Sequence, residues 1–234
     1  VNRRGFQQMY ATTGLHARPK LKGIQELNPY VEADLYTDLD GSAQSHQITA
    51  ALDVFFQPDG ELKLQVNDWF DRLDRTFTPF PGRSIPVGRY NFRNAKATYT
   101  STQRYPVYGN AGVQVGDFYN GTNTTLSGGL TWRPRYDISF EGTYQHNDVS
   151  LPSGAFAADL AGVRVKYAYS TTLFGSTFVQ YNTQSRSFVT NARLAWRYAP
   201  LSDVFLVYTE RQNTFTNVRN ERSVAIKVTR MVAF

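Results

Sequence analysis

Along nearly all of this sequence, apolar residues recur at every second position, and no segment of useful length follows the 3.6-residue spacing of an amphipathic helix. Residues 30–37 set Val31, Ala33 and Leu35 on one side and Tyr30, Glu32, Asp34 and Tyr36 on the other. Residues 46–56 place Ile48, Ala50, Leu52, Val54 and Phe56 against Gln47, Thr49, Ala51 and Asp53. Residues 61–69 place Leu62, Leu64 and Val66 against Lys63, Gln65 and Asn67, and the turn signals LDGS and QPDG separate the three segments. A period of two, punctuated by Gly, Pro, Asn and Asp, is the pattern of antiparallel strands that differ between their two faces.

Strands are expected in the same way at 89–101, 107–118, 124–132, 136–145, 157–169, 174–183, 189–198, 203–211 and 223–234, about twelve in all after residue 28. Residues 1–28 are expected to supply part of one more, around 7–16, with RPKLKG as its turn. Residues 29–234 then form one sheet, with long loops near 73–88, 148–156 and 213–222. So many antiparallel strands without a covering helix leave two edges unless the sheet closes. The fold class expected is all-β, an antiparallel transmembrane β-barrel of about 12 or more strands or the C-terminal part of a larger one.

Composition fits this reading. The 234 residues include 15 Tyr, 16 Phe and 3 Trp, and aromatic and β-branched residues suit pleated, half-buried surfaces. No run approaches the roughly 20 apolar residues of a transmembrane helix. A mean hydropathy of −0.44 does not weigh against a membrane barrel, whose strands are apolar only towards lipid. Two patterns point to the membrane. Tight turns are expected at one end of the sheet and long loops at the other, and an aromatic belt is expected near the tight-turn end, formed by Trp132, Tyr136, Tyr167, Tyr169, Trp196, Tyr198 and Phe205.

The other face is polar in strand after strand. Lys63, Arg93, Lys96, Glu141, Arg164, Lys166, Arg193 and Arg197 are the candidate lumen charges. Rings of charge in a pore tune which solutes pass, and the excess of cations favours anions. A formal charge of +6 raises nucleic acid as a partner, but Lys and Arg are dispersed singly among strands and form no basic stripe, so nucleic-acid binding is not expected. Cys is absent, which removes disulfides, thiolate metal sites and cysteine nucleophiles together. The chain does not begin with Met and its first residues hold no apolar signal-peptide core, as expected of a mature chain or a fragment.

Catalytic, cofactor and metal residues are not expected. Ser45-His46 and His146-Asn147-Asp148 hold the residue types of a hydrolase, yet nothing in the spacing fixes the mutual geometry such a site needs. Asp38-Leu39-Asp40-Gly41 begins like a calcium loop but lacks the later ligands. It reads as a hairpin turn. Loop 73–88, with Phe77, Phe80 and three prolines, is open to three readings: an inward constriction, an outward lid, or an aromatic platform for sugar.

The tail VAIKVTRMVAF puts Val224, Ile226, Val228, Val232 and Phe234 on the lipid side and Ala225, Lys227, Thr229, Met231 and Ala233 on the other. Val228, Val232 and the terminal Phe234 resemble the C-terminal signal read by the barrel-assembly machinery. Arg230 is the misfit, a cation with lipid-side parity.

YTDLDG (36–41), PGRSIPVGRYNF (81–92), GDFYNG (116–121), LTWRP (130–134), HNDVSLP (146–152), WRYAPLSDVFLVY (196–208) and the tail IKVTRMVAF together resemble a largely uncharacterised family of bacterial outer-membrane proteins. In that family a family-nine-type carbohydrate-binding module precedes a C-terminal β-barrel. The resemblance covers most of the chain after about residue 30. It implies location in the outer membrane of Gram-negative bacteria, contact with its lipid, and a porin-like transport role for small solutes or glycans, with no catalytic residues to carry over. The module and earlier strands are absent here, so a partner chain or further strands are expected to complete the barrel. The rival readings are a plugged outer-membrane scaffold that binds a glycan or partner, and a soluble β-sheet binding protein.

Overall fold

The structure is a computed structural model that describes residues 5–214 and 219–231. Those residues form strands and turns and no helix. The strands are β1 (Phe6–Gly14), β2 (Ile24–Asp38), β3 (Ala43–Phe56), β4 (Glu61–Leu73), β5 (Phe77–Phe80), β6 (Arg83–Ile85), β7 (Gly88–Thr100), β8 (Val107–Phe118), β9 (Gly121–Arg135), β10 (Ile138–Leu151), β11 (Gly154–Ala168), β12 (Leu173–Asn182), β13 (Ser187–Ala199), β14 (Ser202–Asn213) and β15 (Arg219–Thr229). Thirteen make one sheet in chain order, and β5 and β6 form a separate hairpin. Among the described residues the sheet is not closed: β1 and β15 each have one neighbour.

Strands run longer than their alternation alone marks, which changes the loops. The connection expected at 148–156 is a turn of two residues, 152–153, because β10 continues to Leu151 and β11 begins at Gly154. The turn between β8 and β9 is also only 119–120. The expected contrast between tight turns at one end and long loops at the other is therefore absent. Polar strand residues such as Asn147 and Asp148 read as loop in the sequence, yet the ladder fixes their backbone whatever their side chains. Of the three expected long loops, 73–88 is present, and most of 213–222 is β15 or lies outside the described residues.

The chain divides into two compact units, the first Val1–Thr102, Asn110–Ser127 and Asn147–Ala157, the second Gln103–Gly109, Gly128–His146 and Ala158–Phe234. In the first unit, register aligns Val31, Ala50, Val66, Ala95 and Val115 in one row, and Leu52, Leu64, Ala97 and Val113 in the next. The opposite face carries the rows Glu32, Thr49, Asn67, Asn94 and Asp34, Gln47, Trp69, Phe92. In the second unit, Tyr167, Gly175, Leu194, Leu206 and Ile226 form an apolar row, and Lys166, Ser176 and Arg193 lie on the other face. A shift of one residue would exchange these faces throughout, so alternation and register enforce each other.

Seven hydrophobic residues are buried among those described: Ala51, Val54, Ile85, Phe92, Val149, Leu151 and Ala195. The apolar face stays open, with Val66 at 55%, Leu130 at 58%, Val163 at 57% and Ile226 at 69% exposure. Among the described residues one side-chain core forms, and it is small. Ile85, Val149 and Leu151 pack with Leu73, Tyr90, Phe118, Tyr119 and Phe156, where the β5–β6 hairpin lies on the polar face of the first unit.

Candidate functional site

The hairpin is local in sequence and its dock is not. Ile85 is fully buried, Phe80 stacks on Phe156 with centroids 4.8 Å apart, and Phe77 meets Tyr119 at 5.7 Å. Arg83 donates through Nη1 to the Ser153 carbonyl at 3.1 Å and through Nε to the Ala155 carbonyl at 3.3 Å, while the Ser84 amide donates to Ser153 Oγ at 3.1 Å. Gly154, at φ +116°, makes this fit possible: a Cβ there would lie 2.6 Å from the Arg83 guanidinium carbon. Loop 73–88 thus folds back over the polar face of the first unit, with Phe77 and Phe80 packed against Tyr119 and Phe156.

Beside the hairpin, the polar face holds a pocket of about 740 Å3. Its apolar wall comprises Trp69 and Phe92, cross-strand neighbours whose rings lie 5° from parallel with centroids 6.1 Å apart, together with Phe118 and Tyr119. Tyr119 holds an uncommon left-handed conformation at φ 53°, which costs of order 1–3 kcal/mol unless its surroundings compensate. They do so here, since its hydroxyl donates to Asp71 Oδ2 at 2.8 Å and its ring touches Phe77, Tyr90, Phe92 and Phe118. The polar wall includes Asp34, which accepts from Gln8 Nε2 at 2.8 Å, and Asn94, the last member of a buried chain in which Thr49 Oγ1 donates to Asn67 Oδ1 (2.8 Å) and Asn67 Nδ2 to Asn94 Oδ1 (2.9 Å). Two wall atoms, Trp69 Nε1 and Asn123 Oδ1, are enclosed without a hydrogen-bond partner, each at a cost of roughly 1–3 kcal/mol.

The candidate lumen charges fall in several places. Lys63 lies 3.4 Å from Asp53 and 3.8 Å from Glu61. Lys96 shares that polar face, between Gln65 and Gln114, with no ion pair among the described residues. In the second unit Glu141 pairs with Lys166 and, at 3.6 Å, with Arg164, whose guanidinium also covers the Phe178 ring. Arg197 lies 3.3 Å from Asp203. Arg93 is a correction. It pairs with Asp68 in the row of Ile48 and Ala33, on the face of Val66 and Ala95, and its Nε donates to Asp68 Oδ1 at 2.5 Å. Strand parity gives the reason: Arg93 and Lys96 are three positions apart and cannot share a face.

Among the belt aromatics, Tyr167 and Trp196 lie in adjacent rows of the apolar face and Trp132 stacks on Phe140. Tyr198 meets Trp196 at 5.9 Å and donates to the Thr229 carbonyl. Tyr136 and Tyr169 sit in the exposed turns that follow β9 and β11. Phe205 departs from the belt. It pairs with Ala195 and Lys227, on the face opposite Leu206, and Arg193 lies over its ring at 4.5 Å. Val228 pairs with Val204 on the apolar face, whereas Val232 and Phe234 lie outside the described residues. Arg230 is less anomalous than its parity implies, because β15 ends at Thr229.

His46 stacks on Phe70 and lies 3.7 Å from Asp68, and adjacent-residue parity turns Ser45 to the opposite face. His146 Nδ1 is 2.7 Å from Asp159 Oδ1, which also accepts from the Tyr144 hydroxyl. At the turn after β2, Asp38 accepts from Arg72 Nη2 at 2.5 Å, from Gln44 and from Ser42; Arg72, then the other two, hold its carboxyl down to about 2. That network is a hairpin turn, as expected of DLDG. The pocket was missed in the sequence, where Trp69, Phe92 and Phe118 read as ordinary strand aromatics. Their shared parity with Asn67 and Asn94 was the available signal.

No protein-family model matches the chain, and neither a curated protein nor a solved structure matches it.

Proposed function

We propose that this chain is the strand-bearing part of a bacterial outer-membrane β-barrel, a channel or transport component with lipid against its apolar face and small polar solutes or glycans against its polar face. The observation that carries the reading is the uncovered apolar face. On that face Val66, Leu130, Val163 and Ile226 are each more than half exposed. Open rows of Val, Leu and Ile are a liability in water and the ordinary condition of a strand in lipid. Among the described residues the edges β1 and β15 each have one neighbour, which leaves room for closure with each other, with further strands or with a partner chain.

A second reading has its own support. The β5–β6 hairpin occupies part of the polar face, as in an outer-membrane scaffold whose lumen is plugged. Two measurements decide the matter. The chain is expected in the detergent-extracted membrane fraction, and recovery in the soluble fraction without detergent sinks the membrane assignment. Reconstituted in planar bilayers, it is expected to give discrete ion conductance; a closed trace at all voltages refutes the channel and leaves the scaffold.

A further inference from the structure

From the pocket beside the hairpin we infer a binding site for a hydroxyl-rich ring, a saccharide unit, held against Trp69 and Phe92. The inference rests on the reading of the polar face as the face that meets solutes, and it names the place and the ligand chemistry.

Three observations converge on that class. First, Trp69 and Phe92, nearly parallel rings on neighbouring strands, both line the pocket and give it aromatic surface. The C–H bonds on one face of a pyranose, polarised by the ring's oxygens, match the negative face of an aromatic ring. Second, the polar groups around these rings mix donors and acceptors: the carboxylates Asp34 and Asp71 with the amides Gln47, Asn94, Gln114 and Asn123. Hydroxyls, which donate and accept, satisfy such a set; a purely anionic or purely cationic ligand satisfies half of it. Third, the two unpartnered wall atoms are of opposite kinds, since Trp69 Nε1 is a donor and Asn123 Oδ1 an acceptor.

The alternatives fail on charge. No Lys or Arg lines the pocket among the described residues, so it offers an anion no cationic side chain there. An organic cation would suit the carboxylates and the rings, but it brings no acceptor for the indole N–H. A volume of about 740 Å3 falls within the span of small-ligand sites, roughly 300–1,000 Å3. The hairpin, fixed through Ile85 and Arg83, holds Phe77 against Tyr119 and so shapes one wall of the site.

The test uses the full chain refolded in detergent, with Trp132→Phe and Trp196→Phe so that Trp69 alone reports. Titration with maltotriose, cellotriose and chitotriose is expected to give a saturable change in Trp69 emission with at least one of them. Asn123→Ala and, separately, Gln114→Ala are expected to weaken that binding at least tenfold while strand circular dichroism is retained. A linear response to all three sugars overturns the inference, as does a saturable response to tetramethylammonium alone or unchanged binding in both variants. The same samples are scored for insertion into vesicles. Insertion without sugar binding removes this site and spares the membrane reading, whereas sugar binding without insertion does the reverse.

Discussion

Leu64→Arg puts the membrane reading under quantitative strain. Leu64 lies on the apolar face of β4 between Leu62 and Val66, with Leu52 and Ala97 as its cross-strand neighbours. It is four residues from the Asp68–Arg93 pair in one direction and four from Gly60, in the turn, in the other. At about 3.3 Å per residue those landmarks are about 26 Å apart along the strand, or about 20 Å along the membrane normal at a strand tilt of about 40°, which falls within an outer-membrane apolar band about 25 Å tall with Leu64 near its centre. A cation at the midplane is expected to cost about 2–4 kcal/mol, roughly a thirty- to thousandfold shift in the folding equilibrium. Were the same face in water, a half-exposed Leu (40% exposure) replaced by Arg, whose aliphatic stem still covers the sheet, would change stability by about 0.5 kcal/mol or less. The assay is urea titration of protein folded in phospholipid vesicles, followed by tryptophan emission, with Tyr99→Arg near the turn expected to cost only about 0–1 kcal/mol and the loop substitution Val87→Arg expected to be neutral. Equal and negligible costs for Leu64→Arg and Val87→Arg refute the reasoning.

Two further outcomes probe the polar face and the turn. Asn67→Ala removes the middle of the buried Thr49–Asn67–Asn94 chain and is expected to lower stability by about 1–3 kcal/mol, read from the denaturant midpoint, whereas replacing all three by Val, Leu and Leu is expected to be nearly neutral. The folded carboxyl of Asp38 is depressed to about 2 by Arg72, Gln44 and Ser42, so its contribution to the turn is full above the unfolded value of about 4 and lost as pH falls through 2. Proteolysis at the turn is expected to rise over that window in the native chain and to be independent of pH there in Asp38→Asn.

The hairpin explains why the first unit has a side-chain core at all. Ile85, the largest fully buried side chain among the described residues, lies where β5 and β6 add a second layer over Tyr90, Phe118 and Leu151. The pocket lies at the margin of that layer. Tyr119 belongs both to the hairpin's dock and to the pocket wall.

Strand identity was legible in the sequence because it rests on a local period. Val31, Ala33 and Leu35 mark their face without reference to anything distant, and so do Leu62, Leu64 and Val66. The same period already separates Arg93 from Lys96, which differ in parity within one strand, whereas the face of Phe205 relative to Trp196 depends on the register between β13 and β14. Alternation does not state where a strand stops. A run such as Asn147, Asp148 and Ser150 looks like loop until the ladder, a long-range set of backbone hydrogen bonds, holds it in β10. Nor does a local pattern tell which distant groups meet. That Arg83 would find the carbonyls of Ser153 and Ala155, that Phe80 would stack on Phe156, and that Trp69 and Phe92 would stand side by side follow from register between strands and from a hairpin folding back over them. The amino-acid sequence by itself determined a two-faced antiparallel sheet, because side-chain alternation is a property of the chain at every point. Only the tertiary structure decided that the long loop folds over the polar face of the first unit and that this face carries a pocket, because those depend on residues far apart in the chain, some 70 positions for the hairpin's dock.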